Sequence, residues 1–191
     1  MAPSIAESLE RYRPLLRLRV RQLQLDPRLK RLWDSSDIVH DAYCHALENL
    51  DQFEGGQSEG KLVRWLQRIL ENVVKDKIRA AHADKRDIDR EQAMEAAVNE
   101  SSLRFDAFLA DGQPSPSEHA ERAELLVRVA GALDQLPAVQ RDVIIYHHLH
   151  GVPVAEIAGQ MDKTEKAVTM LLYRGKCQLR KLLADDKGGS V

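Results

Sequence analysis

SDIVHDAYCHALENLDQFEGGQSEGKLVRWLQRILENVVKDKIRAAHADKRDIDR, residues Ser36–Arg90, decides how this chain folds. Asp37, Asp41 and Glu48 recur at helical spacing on one face, and Val39, Tyr43, Ala46 and Leu50 on another, so the first part predicts a helix with an anionic side and an apolar side. Gly55, Gly56 and Gly60 then mark a loop. In the second part Leu62, Leu66, Ile69 and Val73 form an apolar stripe, while Arg64, Arg68, Lys75 and Arg79, with Asn72 in line, keep nearly the same period on a cationic face. Residues 31–60 hold one Lys/Arg against seven Asp/Glu, and residues 61–90 hold nine against five. Opposite charge is thus segregated onto consecutive helices, which a simple solubility device does not require.

The same segregation explains why the net charge of −2 over 191 residues says little about partners; local fields matter more than the sum. Aromatic content of 5% and charged content of 30%, with abundant Ala, Leu, Arg and Glu, favour helix over sheet. The length allows one sizeable domain or two small ones. Cys44 and Cys177 lie far apart in different predicted helices, as expected of reduced thiols in a cytoplasmic protein. Arginines interrupt every apolar run of the first thirty residues, and no stretch approaches the roughly 20 apolar residues of a membrane span. A soluble, cytoplasmic chain is expected.

Upstream, residues 5–25 predict a helix with Ile5, Leu9, Leu16, Val20 and Leu23 inward, interrupted early by Pro14; Arg11, Arg13, Arg17, Arg19 and Arg21 cover the rest, either as a solvated face or as a nucleic-acid or protein contact. Asp26-Pro27 marks a turn, a short segment around Leu29 and Trp33 follows, and Ser35 or Ser36 is expected to cap the acidic helix. Downstream, residues 91–124 carry eight acidic residues against two basic. Gly112, Pro114 and Pro116 interrupt any period there, so residues 99–119 are assigned as an acidic flexible linker, in which Phe105, Phe108 and Leu109 suggest a docking function beyond a tether. Helical period returns with Leu125, Val129, Ala132, Leu133 and Leu136; Pro137 opens the next helix, with Val139, Val143 and Ile144 inward, and His150-Gly151 closes it.

VAEIAGQMDKTEKAVTMLLYRGKCQLRKLL, from Val154 to Leu183, fits a helix-turn-helix. Counting from Val154, Ala158 falls fifth, where crossing helices leave room only for a small side chain; Asp162 falls at the tight turn, and Val168 falls fifteenth, where a β-branched residue packs between the helices. Thr164 is the expected N-cap of the second helix. Thr164, Lys166, Ala167 and Thr169 are placed to reach base edges or nearby phosphates, and Lys163, Arg174 and Lys176 to reach the DNA backbone. The alternative is a helical hairpin that binds no DNA.

Taken together, these segments resemble the bacterial RNA polymerase sigma factors of the sigma-70 family, in their short extracytoplasmic-function (ECF) group. SDIVHDAYCHAL is similar to the family's region-two segment DLVQEVFLRA, matching through Asp37, Ile38, Val39 and Asp41 with His40 at the usual glutamine. KLVRWLQRILENVVKDKIRA resembles its continuation FRAWLLRIARNLAIDLLRR at Trp65, Leu66, Arg68, Ile69, Asn72, Asp76 and Arg79. LPAVQRDVIIYHHLHGVPVAEIAGQM resembles region four, LPEREREVLLLRELEGLSYEEIAEIL. Thr169 and Leu171 stand where the family's recognition helix is frequently basic, and Lys163 where it prefers an apolar residue.

The resemblance implies an all-α fold of two small helical domains joined by the linker: region two over 1–98, region four over 120–184, and a disordered tail over 185–191. It implies that Asp37, Asp41 and Glu48 dock on the clamp helices of the polymerase largest subunit. The loop from Leu50 to Lys61 would then receive a base flipped out of the minus-ten element, and Asn72, Lys75, Arg79, Lys85 and Arg86 would hold the melting strand. In region four, Lys163, Thr164, Lys166, Ala167, Thr169, Arg174 and Lys176 would read the minus-thirty-five element, beside a contact to the second-largest-subunit flap. Nothing after region four resembles a fused sensor, which points to regulation by another chain such as an anti-sigma factor.

Trp65 serves either the core or base stacking. His40 with Cys44, and the YHHLH run, supply too few paired ligands for a closed zinc site, and no phosphate loop or nucleophile–base signature occurs; neither metal, cofactor nor enzymatic activity is expected. The competing functions are a helix-turn-helix regulator acting on duplex DNA without being a polymerase subunit, and a helical adaptor that binds only protein.

Overall fold

The computed structural model describes residues 9–23, 33–54, 58–83, 92–101, 103 and 116–188, and every regular element among them is helical. The chain divides into two compact units, residues 1–127 and 128–191. Ile5, the Asp26-Pro27 turn, Leu29, Gly55, Gly56, Lys85, Arg86, Phe105, Phe108, Leu109, Gly112, Pro114 and residues 189–191 lie outside the described residues.

In the first unit a 3-10 turn, Glu10–Tyr12, leads into α1, Arg13–Gln22. Pro14 does not interrupt this helix but sits in its first turn, where the missing N–H has no intrahelical partner to lose. Helix α2, Ser35–Glu48, is capped by Asp34 rather than by Ser35 or Ser36. The Asp34 carboxylate accepts from the backbone N–H groups of Ser36 and Asp37, at 2.6 and 2.9 Å, and the Asp37 carboxylate accepts from the Asp34 N–H at 3.1 Å. This reciprocal capping box contributes about 1 kcal/mol. Helix α3, Glu59–Ala83, is the longest element of this unit.

Helices α1, α2 and α3 pack mutually. Leu15, Leu16 and Val20 of α1, Ile38, Val39, Ala42 and Ala46 of α2, and Val63, Leu66, Leu70, Val74 and Ile78 of α3 are all buried. The apolar stripe of α2 therefore runs through Ile38 and Ala42, while Tyr43 and Leu50 are only half-buried. Arg19, expected on the solvated face, is 4% exposed; its Nε donates to Gln67 Oε1 at 2.8 Å and its Nη1 to Gln22 Oε1 at 2.6 Å. A buried guanidinium needs such acceptors, and Gln67, itself 5% exposed, lies one turn before Glu71 on α3. A further helix, α4, covers residues 92–101 and buries Val98.

Helix α5, Pro116–Asp134, belongs to the first unit through Val127 and to the second from Arg128. Its buried positions are Ala123, Val127, Ala130, Ala132 and Leu133, whereas Leu125 is 50% exposed. Ala132, Leu133 and Leu136 are buried as expected, Val129 is half-buried, and Ala123 and Val127 take the inward place expected of Leu125. In the second unit α6, Ala138–Ile144, is N-capped by Pro137 and continues as a π-helical turn, Ile145–Leu149. Val143, Ile144 and Ile145 are buried, but Val139, expected inward, is 42% exposed in the first turn of α6. Gly151, at φ 70°, takes the left-handed conformation after the π turn. Helix α7 covers Val154–Gln160, and α8, Glu165–Gly188, runs into the segment expected to be a disordered tail. Helix α8 packs on both α6 and α7. At Gly175 a Cβ would meet Ile144 Cδ1 at 2.8 Å, so a larger residue there would require the end of the Ile144 side chain to shift.

Candidate functional site

Asp37, Asp41 and Glu48 share one side of α2, but the structure uses them differently. Asp37 is exposed and engaged in the cap, and Glu48 is exposed at the last turn. Asp41 is half-buried and forms an ion pair of 2.6 Å with Lys77 Nζ of α3. Lys77 in turn lies 4.9 Å above the Trp33 ring, a cation–π contact that fixes the ammonium at the foot of the acidic face. Sequence reading had left Lys77 and Trp33 without a role. Their signal was the position of Lys77 off the cationic stripe, on the side of α3 that turns toward α2.

Arg64, Arg68, Asn72, Lys75 and Arg79 lie within about 80° of arc on α3 at 100° per residue. Arg68, Asn72 and Arg79 are exposed, and Arg64 and Lys75 half-buried. Arg79 pairs with Asp76 at 3.3 Å and with Glu95 of α4 at 2.8 Å. Lys85 and Arg86 fall outside the described residues. Before α3, Leu50–Gln52 form a 3-10 turn, and the Phe53 ring meets Trp65 at 5.2 Å between centroids with planes tilted by 43°. Both rings are half-buried, so Trp65 closes the edge of the core while keeping part of its surface open beside the loop.

A polar cluster stands at the start of α3. Arg11 pairs with Glu59 at 3.4 Å and also with Glu124, and the Tyr12 hydroxyl donates to Glu59 at 3.1 Å. Burial, reinforced by Glu124, holds the Glu59 carboxyl above its ordinary range, and burial together with Glu59 pushes the Tyr12 phenol up.

The helix-turn-helix of the second unit matches the sequence reading residue by residue. Ala158 is 5% exposed and Val168 fully buried. Asp162 adopts φ 50° at the turn, and Lys163 N–H donates to the Ala158 carbonyl at 2.9 Å while Asp162 N–H donates to Gly159 at 3.4 Å. This is a Schellman closure, with aspartate in the left-handed position that glycine or asparagine usually takes. Thr164 Oγ1 accepts from the Ala167 N–H at 3.2 Å and caps α8. Lys163, Thr164, Lys166, Thr169, Arg174 and Lys176 are exposed and Ala167 half-buried, leaving the predicted set together on the outer side of the motif.

Two regions of a single protein family match this chain. Residues 9–83 match sigma-70 region 2, and residues 126–179 match sigma-70 region 4. The chain belongs to the sigma-70 family. It is similar to the RNA polymerase sigma factor CnrH of Cupriavidus metallidurans, 28% identical over 153 residues that cover 80% of this chain and 75% of that protein. To the ECF RNA polymerase sigma factor SigX of Bacillus subtilis it is 28% identical over 147 residues, covering 77% and 69% respectively. To the probable RNA polymerase sigma factor RfaY of Xanthomonas campestris pv. campestris it is 24% identical over 146 residues, which span 76% of this chain and 33% of that protein. The two matched regions and these likenesses identify a sigma factor of the ECF group, a transcription initiation subunit rather than an enzyme. Among the described residues no helix is long and apolar enough to cross a membrane.

The candidate set for the sigma factor's recognition helix omitted Met170 and Tyr173, which are 45% and 65% exposed. Lys166, Met170 and Tyr173 follow i, i+4, i+7 spacing, so they run down the middle of the outer face, with Thr169 and Arg174 on either side. Spacing counted from the Thr164 cap would have found them; attention to charge alone did not. His148, in the π turn of the same unit, is held below its ordinary pKa by burial and by the charge of Lys176.

Proposed function

We propose that this sigma factor delivers core RNA polymerase to promoters by reading a minus-thirty-five element with α8 and a minus-ten element with α3, and that it promotes melting between them. Two cationic helical faces in one chain, each in its own unit, carry this assignment. A duplex regulator needs only the helix-turn-helix, whereas capture of an opened strand needs the second surface as well.

The division of labour follows from the residue chemistry. The face of α8 offers Lys166, Thr169 and Arg174 for phosphates and base edges, and Met170 and Tyr173 for apolar contact of the kind that recognises a thymine methyl group. On α3, Arg68, Asn72, Lys75 and Arg79 would track the single strand, with Lys85 and Arg86 extending the path. The half-open Phe53–Trp65 pair would stack a base held in the loop from Leu50 to Lys61, offsetting an extrusion cost of a few kcal/mol. Asp37, Asp41 and Glu48 would dock on the clamp helices of the polymerase largest subunit, and the second unit on the flap of the second-largest. Such work places the protein in the cytoplasm with its polymerase, under the control of a separate chain of anti-sigma type.

Transcription in vitro with purified core polymerase, with start sites mapped genome-wide, tests the assignment. Initiation at a discrete set of sites that share two spaced elements is expected. Sequence-specific duplex binding without core polymerase, and no initiation with it, would instead favour a regulator.

A further inference from the structure

We propose that α4 is an intramolecular strap that occupies Arg79 until the opened strand displaces it. This role rests on Arg79 as a strand contact and adds a competitor for it within the same chain. The competitor is Glu95, whose carboxylate lies 2.8 Å from Arg79 Nε. A carboxylate on a guanidinium imitates the phosphate that the same guanidinium would bind.

The strap is held along a narrow line. Val98 is 1% exposed, and Arg19 Nη2 donates to the Ser101 carbonyl at 3.4 Å. Met94, Glu95 and Ser101 are half-buried, while Gln92, Ala93, Ala96, Ala97, Asn99 and Glu100 face solvent. Arg19 is itself fixed in the core by Gln67 and Gln22, so the anchor is rigid and the strap is light. Among the described residues of α4 only Val98 is fully buried, and a helix attached by little buried apolar surface opens locally at small cost.

The latch suits release. Glu95 Oε1 is shielded from solvent yet receives no aligned hydrogen bond among the described residues, so charge alone holds it to Arg79, which remains 54% exposed. Neighbouring Asp76, 3.3 Å from Arg79, shares the guanidinium without covering it. An incoming phosphate therefore finds Arg79 already oriented and has to displace one poorly aligned carboxylate. In the unbound state the strap lowers the affinity of α3 for polyanions, so that the strand is gripped only where other contacts add to it.

Affinity of reconstituted holoenzyme for a fluorescein-labelled, mixed-sequence single-stranded 20-mer tests the strap, with core polymerase alone as the baseline. Glu95→Gln keeps the shape and removes the charge, and is expected to tighten binding about two- to fivefold, the range of a partly exposed ion pair. Arg79→Ala is expected to weaken it about three- to tenfold, and the double variant to bind like Arg79→Ala. If Arg79→Ala weakens binding while Glu95→Gln changes nothing, the strap is overturned and the strand contact stands. Equal binding by Arg79→Ala and the parent overturns both. A double variant that keeps the gain of Glu95→Gln overturns the strap, since the effect then bypasses Arg79.

Discussion

The two units present charge in opposite ways. In the first, selected charges of the acidic and basic faces are engaged within the unit itself: Asp37 closes a cap, Asp41 holds Lys77, and Arg79 holds Asp76 and Glu95. In the second, among the described residues, Lys163, Lys166, Arg174 and Lys176 form no ion pair and stand exposed around the recognition helix. A partner of the first unit must compete with contacts already made, which favours cooperative engagement of many groups. A partner of the second meets an open face whose geometry is set by an apolar scaffold beneath it.

Charge reversal tests the first half of this contrast most strongly. Asp37→Lys with Asp41→Lys is expected to abolish co-elution with core polymerase, and unchanged holoenzyme formation would remove α2 from the interface. Because Asp37 also caps α2, Asp37→Asn and Asp41→Asn are the informative single changes. Each should weaken core binding while circular dichroism stays close to that of the parent.

The second half depends on the scaffold. Ile157 is fully buried beneath the helix-turn-helix, so Ile157→Ala is expected to destabilise the second unit by about 2–5 kcal/mol. Hydrogen exchange should show that loss in residues 128–188 and not in α1–α3; equal loss in both would mean that the units do not fold independently. Salt dependence sharpens the contrast further. Lys166→Ala and Arg174→Ala should each reduce the salt slope of promoter binding by about one phosphate contact. Arg79→Ala should reduce it less, because Arg79 gives up the Glu95 carboxylate when it binds; an equal reduction would show that this intramolecular pair is energetically empty.

The smallest effect concerns acidity. The folded state holds the Glu59 carboxyl above its ordinary pKa, chiefly by burial, so folding takes up protons there. Glu59 therefore favours the folded state most below its unfolded pKa, and that contribution is lost as pH rises through the raised value. Glu59→Gln keeps an acceptor for Tyr12 and should flatten this fall in thermal stability as pH rises above the ordinary carboxylate range. An unaltered slope would place the titration on another group.

The all-helical class, the two-part organisation and the helix-turn-helix were legible because each depends on local spacing. Ala158, Asp162, Thr164 and Val168 are fixed by the geometry of one turn, and their residue types record it. What misled were apolar residues at exposed helical positions: Leu125 carries more apolar surface than Ala123, which packs instead, and Val139 sits exposed in the first turn of α6. Arg19 could not be told in sequence from its half-buried arginine neighbours because its acceptor Gln67 lies 48 residues away.

By itself, then, the sequence determined periodicity, caps and the segregation of charge, since these are properties of neighbours along the chain. Only the tertiary structure decided which charges meet. Lys77 reached Asp41 and Trp33, Arg79 reached Glu95, and Asp34 took the cap from two serines, because an ion pair or a hydrogen bond depends on a few ångströms of separation that packing of α1–α4 creates and spacing does not encode.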